Sequence, residues 1–196
     1  MNKLVVILTL FIVMVGCSTK VSRVETSSTM DLTGRWNDTD SRLVADELIR
    51  DCLSHTWLTK YDSILRKKPV VIVGKIENKS HEHISTETFV KDIQRALLNS
   101  GRVEFVADKN EREQIRDEKA DQASNASAPT AKSSGEESGA DLMMIGTINT
   151  IVDQEGKKAV VFYQTNMEMV EIESHKTVWI GENKIKKYVE RTNTKF

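Results

Sequence analysis

Histidine, glutamate and histidine stand together at His81, Glu82 and His83, the one cluster in this sequence whose residue types suit a metal ion. A catalytic zinc needs three protein ligands in defined geometry, with outer partners that orient them. The remaining histidines, His55 and His175, fall in a predicted helix and a predicted turn. A solvated loop is therefore expected at 81–83, and no metal. Nucleophilic chemistry has no better support, since neither a G-x-S-x-G elbow nor an S-x-x-K set is present. Cys52 lies on a predicted apolar helix stripe, where a free cysteine behaves as a small hydrophobe. The glycines lack phosphate-cradling spacing. Carboxylates are abundant but cluster on charged helices as solvated faces; an acid/base pair drawn from distant segments stays open. No catalytic residue and no cofactor are expected.

The other reactive position is Cys17, directly after small Gly16 at the end of an apolar run. Leu4–Val15 spans 12 residues, and a bilayer core needs about 20 in helical form. With Lys3 ahead of it, the run has the layout of a secretory signal, an n-region followed by an h-region. Gly16–Cys17 resembles the lipobox of bacterial lipoproteins, with Met14 where Leu, Val or Ile is usual. The expectation is a cleaved signal peptide at 1–16 and a lipid on Cys17, which becomes the mature N-terminus. Cys52 is then the only other cysteine, so an intramolecular disulfide is excluded and stability must come from packing.

Lys3 belongs to the leader, which leaves 27 of the 28 basic residues against 29 acidic ones. Near-neutral charge argues against nucleic acid as the partner, because phosphate binding draws on clustered positive charge. Ser18 to about Leu32 is rich in Ser and Thr and reads as a flexible tether over 17–33. The 20 steps from Cys17 to Asn37 reach about 70 Å when fully extended. One globular domain over 34–190 fits the remaining length.

Val44, Leu48 and Cys52, with Ala45, Ile49, Leu53 and Trp57, make an apolar stripe that predicts a helix from about Ser41 to Thr56. Asp38, Thr39 and Asp40 are its candidate caps, and Trp36 is expected to pack at its entry. Val70–Val73 is an unbroken β-branched run, which predicts a central strand buried on both faces. Ser85 caps a second helix with Phe89, Ile93, Ala96, Leu97 and Ser100 inward, and Gly101 is placed for a left-handed end. A strand at 103–106 completes a crossover unit. A mostly exposed helix is expected over 108–121, then a mobile loop at about 122–139. A meander follows, with strands at 140–152, 159–172 and 177–189. Val161, Tyr163, Thr165, Met167 and Met169 share one of its faces, and Trp179 opposes Val178 and Ile180. The predicted fold is α+β, a two-layer domain whose mixed sheet has a C-terminal antiparallel meander and helices packed on one face.

The stretch VVIVGKIENKSHEHISTETFVKDIQRALLNSGRVEFV at 70–106 resembles LpoB-type lipoproteins, the activators of penicillin-binding proteins. RWNDTDSRLVADEL at 35–48 is similar to that family's opening segment, and ADLMMIGTINTIV at 140–152 to its next strand. The resemblance implies a non-enzymatic lipoprotein whose domain docks on a class A penicillin-binding protein, a bifunctional peptidoglycan synthase, and stimulates it. The absence of Asp after Cys17 implies an outer-membrane, periplasm-facing address. No motif marks the partner-binding residues, and a monomer is the expected state. The alternative is a structural or secretion-associated lipoprotein, CsgG-like, that self-assembles. Its long C-terminal strands would support edge pairing, which Lys184, Lys186 and Lys187 would discourage.

Overall fold

A computed structural model describes residues 19–191 of the chain. The leader at 1–16, Cys17 and Ser18 lie outside the described residues. The first helix, α1, spans Asp38–Ser54. It starts earlier than its apolar stripe indicates because Asn37 and Asp40 form a reciprocal capping box. The Asn37 side chain accepts from Asp40 N at 3.0 Å, and the Asp40 carboxylate accepts from Asn37 N at 2.9 Å. Two donors that a helix start leaves unsatisfied are bonded in this way. The cap is thus Asn37, not one of the three residues after it. Val44, Ala45, Leu48, Ile49 and Cys52 are buried along its inner face.

Trp57 stands outside α1 and opens a short helical turn, Trp57–Thr59, that runs into a π-helix at Lys60–Leu65. Its indole Nε1 donates to the carbonyl of Cys52 at 2.8 Å, which satisfies one of the last carbonyls of α1. Helix α2 spans Thr86–Asn99. Ser85 caps it, and Phe89, Ile93 and Leu97 are buried at helical spacing. Gly101 adopts φ +67, the left-handed exit for which its missing Cβ is suited.

Strand β1 (Val70–Lys79) precedes α2, and β2 (Glu104–Phe105) follows it parallel to β1, completing the crossover. Helix α3 (Lys109–Asn125) is capped by Asp108 and Glu111 and buries no residue. It continues into the stretch read as loop, as far as Asn125. Then β3 (Leu142–Glu155), β4 (Lys158–Glu171) and β5 (Thr177–Glu190) form the meander. The sheet order is β2-β1-β3-β4-β5, with β1 and β3 parallel and the last three strands antiparallel. The architecture is α+β with helices on one face.

That single cover corrects the reading of β1. Val71, Val73 and Ile76 are buried, but Val70 and Ile72 are only half-buried because no helix lies over their side. A β-branched run at the middle of a sheet here marks strand propensity, not burial on both faces. In β4, Val161, Tyr163, Thr165, Met167 and Met169 all face the helices and are buried. Gly146 lies opposite Met167, where an added Cβ would sit 2.6 Å from the Asn166 carbonyl oxygen. Backbone cannot yield there as a flexible side chain would, so the position requires glycine.

Phe89 is fully buried and joins α2 to the sheet core. Phe89→Ala is expected to cost about 3–5 kcal/mol of unfolding free energy, measured by urea titration. A loss below about 1 kcal/mol would show that α2 does not depend on this contact.

Candidate functional site

Buried charged contacts among the described residues gather where the chain enters the domain. Among the described residues, Asp31 is the first to bond with the folded core. Its carboxylate accepts from Lys187 Nζ at 2.7 Å and from Asn37 Nδ2 at 2.6 Å. Lys187 also donates to Asp40 at 2.7 Å and to the Arg35 carbonyl at 3.1 Å. The lysine side chain is 10% exposed and that of Asp40 8%, so this is a largely desolvated pair with its hydrogen bonds satisfied. Burial alone would lower the pKa of Lys187, but its bonds to Asp31 and Asp40 hold it above the ordinary lysine value. The bond from Lys187 in turn lowers the pKa of Asp31.

Glu82 supplies the second hold. Its carboxylate accepts from Trp36 N at 3.1 Å and from the Tyr163 hydroxyl at 2.8 Å. Burial, then the bond to Glu82, pushes the Tyr163 phenol above its ordinary pKa. Trp36 wedges between Phe89 and Tyr163, edge to face at 6.1 and 5.5 Å, and its Nε1 donates to Ser41 Oγ at 2.7 Å. Trp36 therefore packs at the helix entry, as its position before the caps indicates. Residues 31–37 form a strap latched at both ends over the end of the sheet.

The histidine cluster is divided by this arrangement. His81 and His83 are exposed, and Glu82 alone turns inward to the latch. Among the described residues, no group of three or more His, Cys, Asp and Glu side chains is placed to hold a metal. Cys52 is fully buried on α1, and burial pushes its thiol up to about 12. It is a packing residue with no thiolate character near neutral pH. Cys17 lies outside the described residues.

The sequence points to Glu82 as a metal-cluster member and to Lys187 as an edge charge, and the structure gives both a different role, holding the strap. A signal for Lys187 exists in the strand alternation: its offset from buried Trp179 is an even number of positions, so it faces the helices. Glu82 carries no comparable pattern, because its partners are distant in sequence.

The face of the sheet opposite the helices is the second feature. Ile72, Met143, Ile145, Phe162 and Val170 are half-buried there, and Ile151, Ile180 and Tyr188 are exposed. Charged pairs border them, Lys75 with Glu77 at 3.0 Å and Lys184 with Glu182 at 2.6 Å. Polar Thr147, Asn149, Gln164 and Asn166 cross the middle of this face and separate an apolar patch at Ile72, Met143 and Ile145 from the Phe162–Ile151 pair.

A family model described as peptidoglycan-synthase activator LpoB matches residues 40–185. Among solved structures, the LpoB C-terminal domain from Escherichia coli is 12% identical, with a TM-score of 0.45, covering 74% of this chain and 98% of that one. The LpoB C-terminal domain from Salmonella enterica is 13% identical, with a TM-score of 0.43 and the same two coverages, 74% and 98%. Lipoprotein GNA1162 from Neisseria meningitidis is 14% identical, with a TM-score of 0.41, covering 64% of this chain and 88% of that one. A comparison with curated protein sequences found no match.

The latch has a pH signature. The lowered pKa of Asp31 contributes stability above its unfolded value, lost as pH falls through its folded value. The raised pKa of Lys187 contributes below its unfolded value, lost as pH rises through its folded value. Lys187→Met strands Asp40 without a counter-charge and is expected to cost about 3 kcal/mol in urea unfolding at neutral pH. Tyr163→Phe should cost about 1–2 kcal/mol, from the acceptor it leaves at Glu82. Two changes below about 0.5 kcal/mol would mean that the strap is not held by these bonds.

Proposed function

Because this chain belongs to the LpoB family of peptidoglycan-synthase activators, we propose that it binds a class A penicillin-binding protein and stimulates its glycan polymerisation and cross-linking. In this reading the chain performs no chemistry of its own. The observation that carries it is the extent of the family match, which runs from the N-terminal turn of α1 through most of β5 and so includes every element of the core.

The proposed address is the periplasmic face of the outer membrane, through a lipid on Cys17. The Gly16–Cys17 motif and the non-acidic Ser18 support it. No helix among the described residues is long and apolar enough to cross a membrane. A lipid anchor places a limit on reach. Since the core grips the chain from Asp31, the free tether is 14 steps from Cys17, or about 50 Å at full extension. The domain then works close to the membrane that holds it, and a synthase must meet it within that distance.

Two measurements bear on this. Residues 18–196 should bind a class A synthase from the same organism in a biosensor assay and raise its rate of glycan-chain formation from lipid-linked precursor. No binding and no rate change with any native class A synthase would remove the proposal. Separately, Cys17→Ser in the full chain should move the protein from the membrane fraction to the soluble envelope fraction. Retention in the membrane would show that Cys17 is not the anchor.

A further inference from the structure

The strap encloses a cavity against the far ends of the long strands. Arg35 of the strap, Lys157 of the turn between β3 and β4, and Arg191 just after β5 line it, over an apolar floor of Val152, Val161 and Val189. Its volume is about 140 Å³, the room of about five waters at ~30 Å³ each.

Three positive side chains thus reach one recess from three separate segments. The Arg191 N–H donates to the Lys157 carbonyl at 3.0 Å, so two of them leave from hydrogen-bonded backbone. Arg35 is fixed by its own surroundings, for its carbonyl accepts from Lys187 Nζ at 3.1 Å and Gly34 beside it lies against Val189. Among the described residues none of the three has an ion pair, whereas Lys187 has two carboxylates and Lys158 has Glu190. Glu82 also lines the wall, but its carboxylate is turned to Trp36 N and the Tyr163 hydroxyl. Strand alternation carries Asp153, Glu155 and Glu190 to the other face of the sheet. The recess therefore concentrates positive charge in a chain whose formal net charge is -1.

Cations that converge on one recess repel one another, and an anion held between them relieves that repulsion. Two guanidinium forks and an ammonium arriving from different sides suit a tetrahedral phosphate, whose oxygens diverge. They suit a carboxylate less, because its acceptors lie in one plane. Room for about five waters admits a phosphate with a few attached atoms and excludes a nucleotide or a folded partner.

We propose that this cavity binds an anionic phosphate group, and that its source is the glycerophosphate headgroup of a membrane lipid. A free phosphate would leave the apolar floor of valines uncovered, whereas a headgroup lays its glycerol carbons there. The cavity also lies beside the strap, where the chain enters the domain. With Cys17 anchored as proposed above, the tether keeps this end of the domain within about 50 Å of lipid. Affinity of about 1 mM is then enough, since a short flexible tether supplies an effective concentration of that order. That step rests on the anchor; the preference for phosphate does not.

Flotation of residues 18–196, which keep every described residue, tests this with vesicles of phosphatidylcholine alone and with about one third phosphatidylglycerol. The chain should bind only the second, half-saturating near about 1 mM accessible anionic lipid. Each Lys or Arg near an anionic bilayer strengthens binding about fivefold, so Arg35→Gln and Lys157→Gln should each weaken it by that factor, and together about twenty-five-fold. Lys119→Gln removes the same charge from exposed α3 and should leave binding unchanged. Ala159→Phe fills the cavity without altering charge and should abolish binding. If its strand signal by circular dichroism is lost, Thr33→Trp on the strap wall takes its place.

The source is read separately, by titrating free glycerol 3-phosphate to about 20 mM while following the amide signals of Gly34 and Lys157. Shifts there without vesicle binding would assign the cavity to a soluble phosphate and remove the lipid. Neither vesicle binding nor amide shifts overturns the proposal. So does an equal loss with Lys119→Gln, or a filled cavity that binds as the wild type does. None of these readouts involves a synthase, so failure here leaves the proposed activity standing.

Discussion

Helices cover one face of this five-stranded sheet and leave the other bare, and most of the structure follows from that asymmetry. Each long strand has to divide its residues between a helix-packed side and a side in contact with water. β4 does so along its whole length, with Val161 through Met169 buried at every second position. β5 does so with more polar material, alternating Trp179, Gly181, Asn183, Ile185, Lys187 and Val189 inward. A lysine on the inward side is tolerable only if carboxylates reach it, and Asp31 and Asp40 do. The latch thus answers a problem set by the sheet, and it also fixes where the chain enters the domain.

The features legible in the sequence were those with a local period or a local cap. The stripe of α1, the Ser85 cap with Gly101 at the end of α2, the exposed α3 and the two faces of β4 were all readable within short windows. What escaped depended on distance or on cover. The run Val70–Val73 looked doubly buried because β-branched residues report strand preference, whereas burial depends on what lies above and below. The start of α1 was misplaced because several capping residues stand in a row, and only the reciprocal bonds between Asn37 and Asp40 distinguish among them.

The strap and its latches show the same division more sharply. Lys187 bonds Asp31 and Asp40 across separations of 156 and 147 residues, and Tyr163 bonds Glu82 across 81. No spacing rule reaches that far. Alternation could mark Lys187 as an inward charge in need of partners, but not identify them. Glu82 illustrates the converse, for its flanking histidines drew attention to metal chemistry when its role is to hold a strap. A cluster of chemically able residues is informative only when their side chains converge, and here they diverge.

The bare face and the bare edge make different demands on a partner. A face patch such as half-buried Ile72, Met143, Ile145 and Val170 suits a partner with its own folded surface, because side chains alone make the contact. An edge demands backbone in extended form, which a folded synthase domain supplies only if it has a free strand of its own.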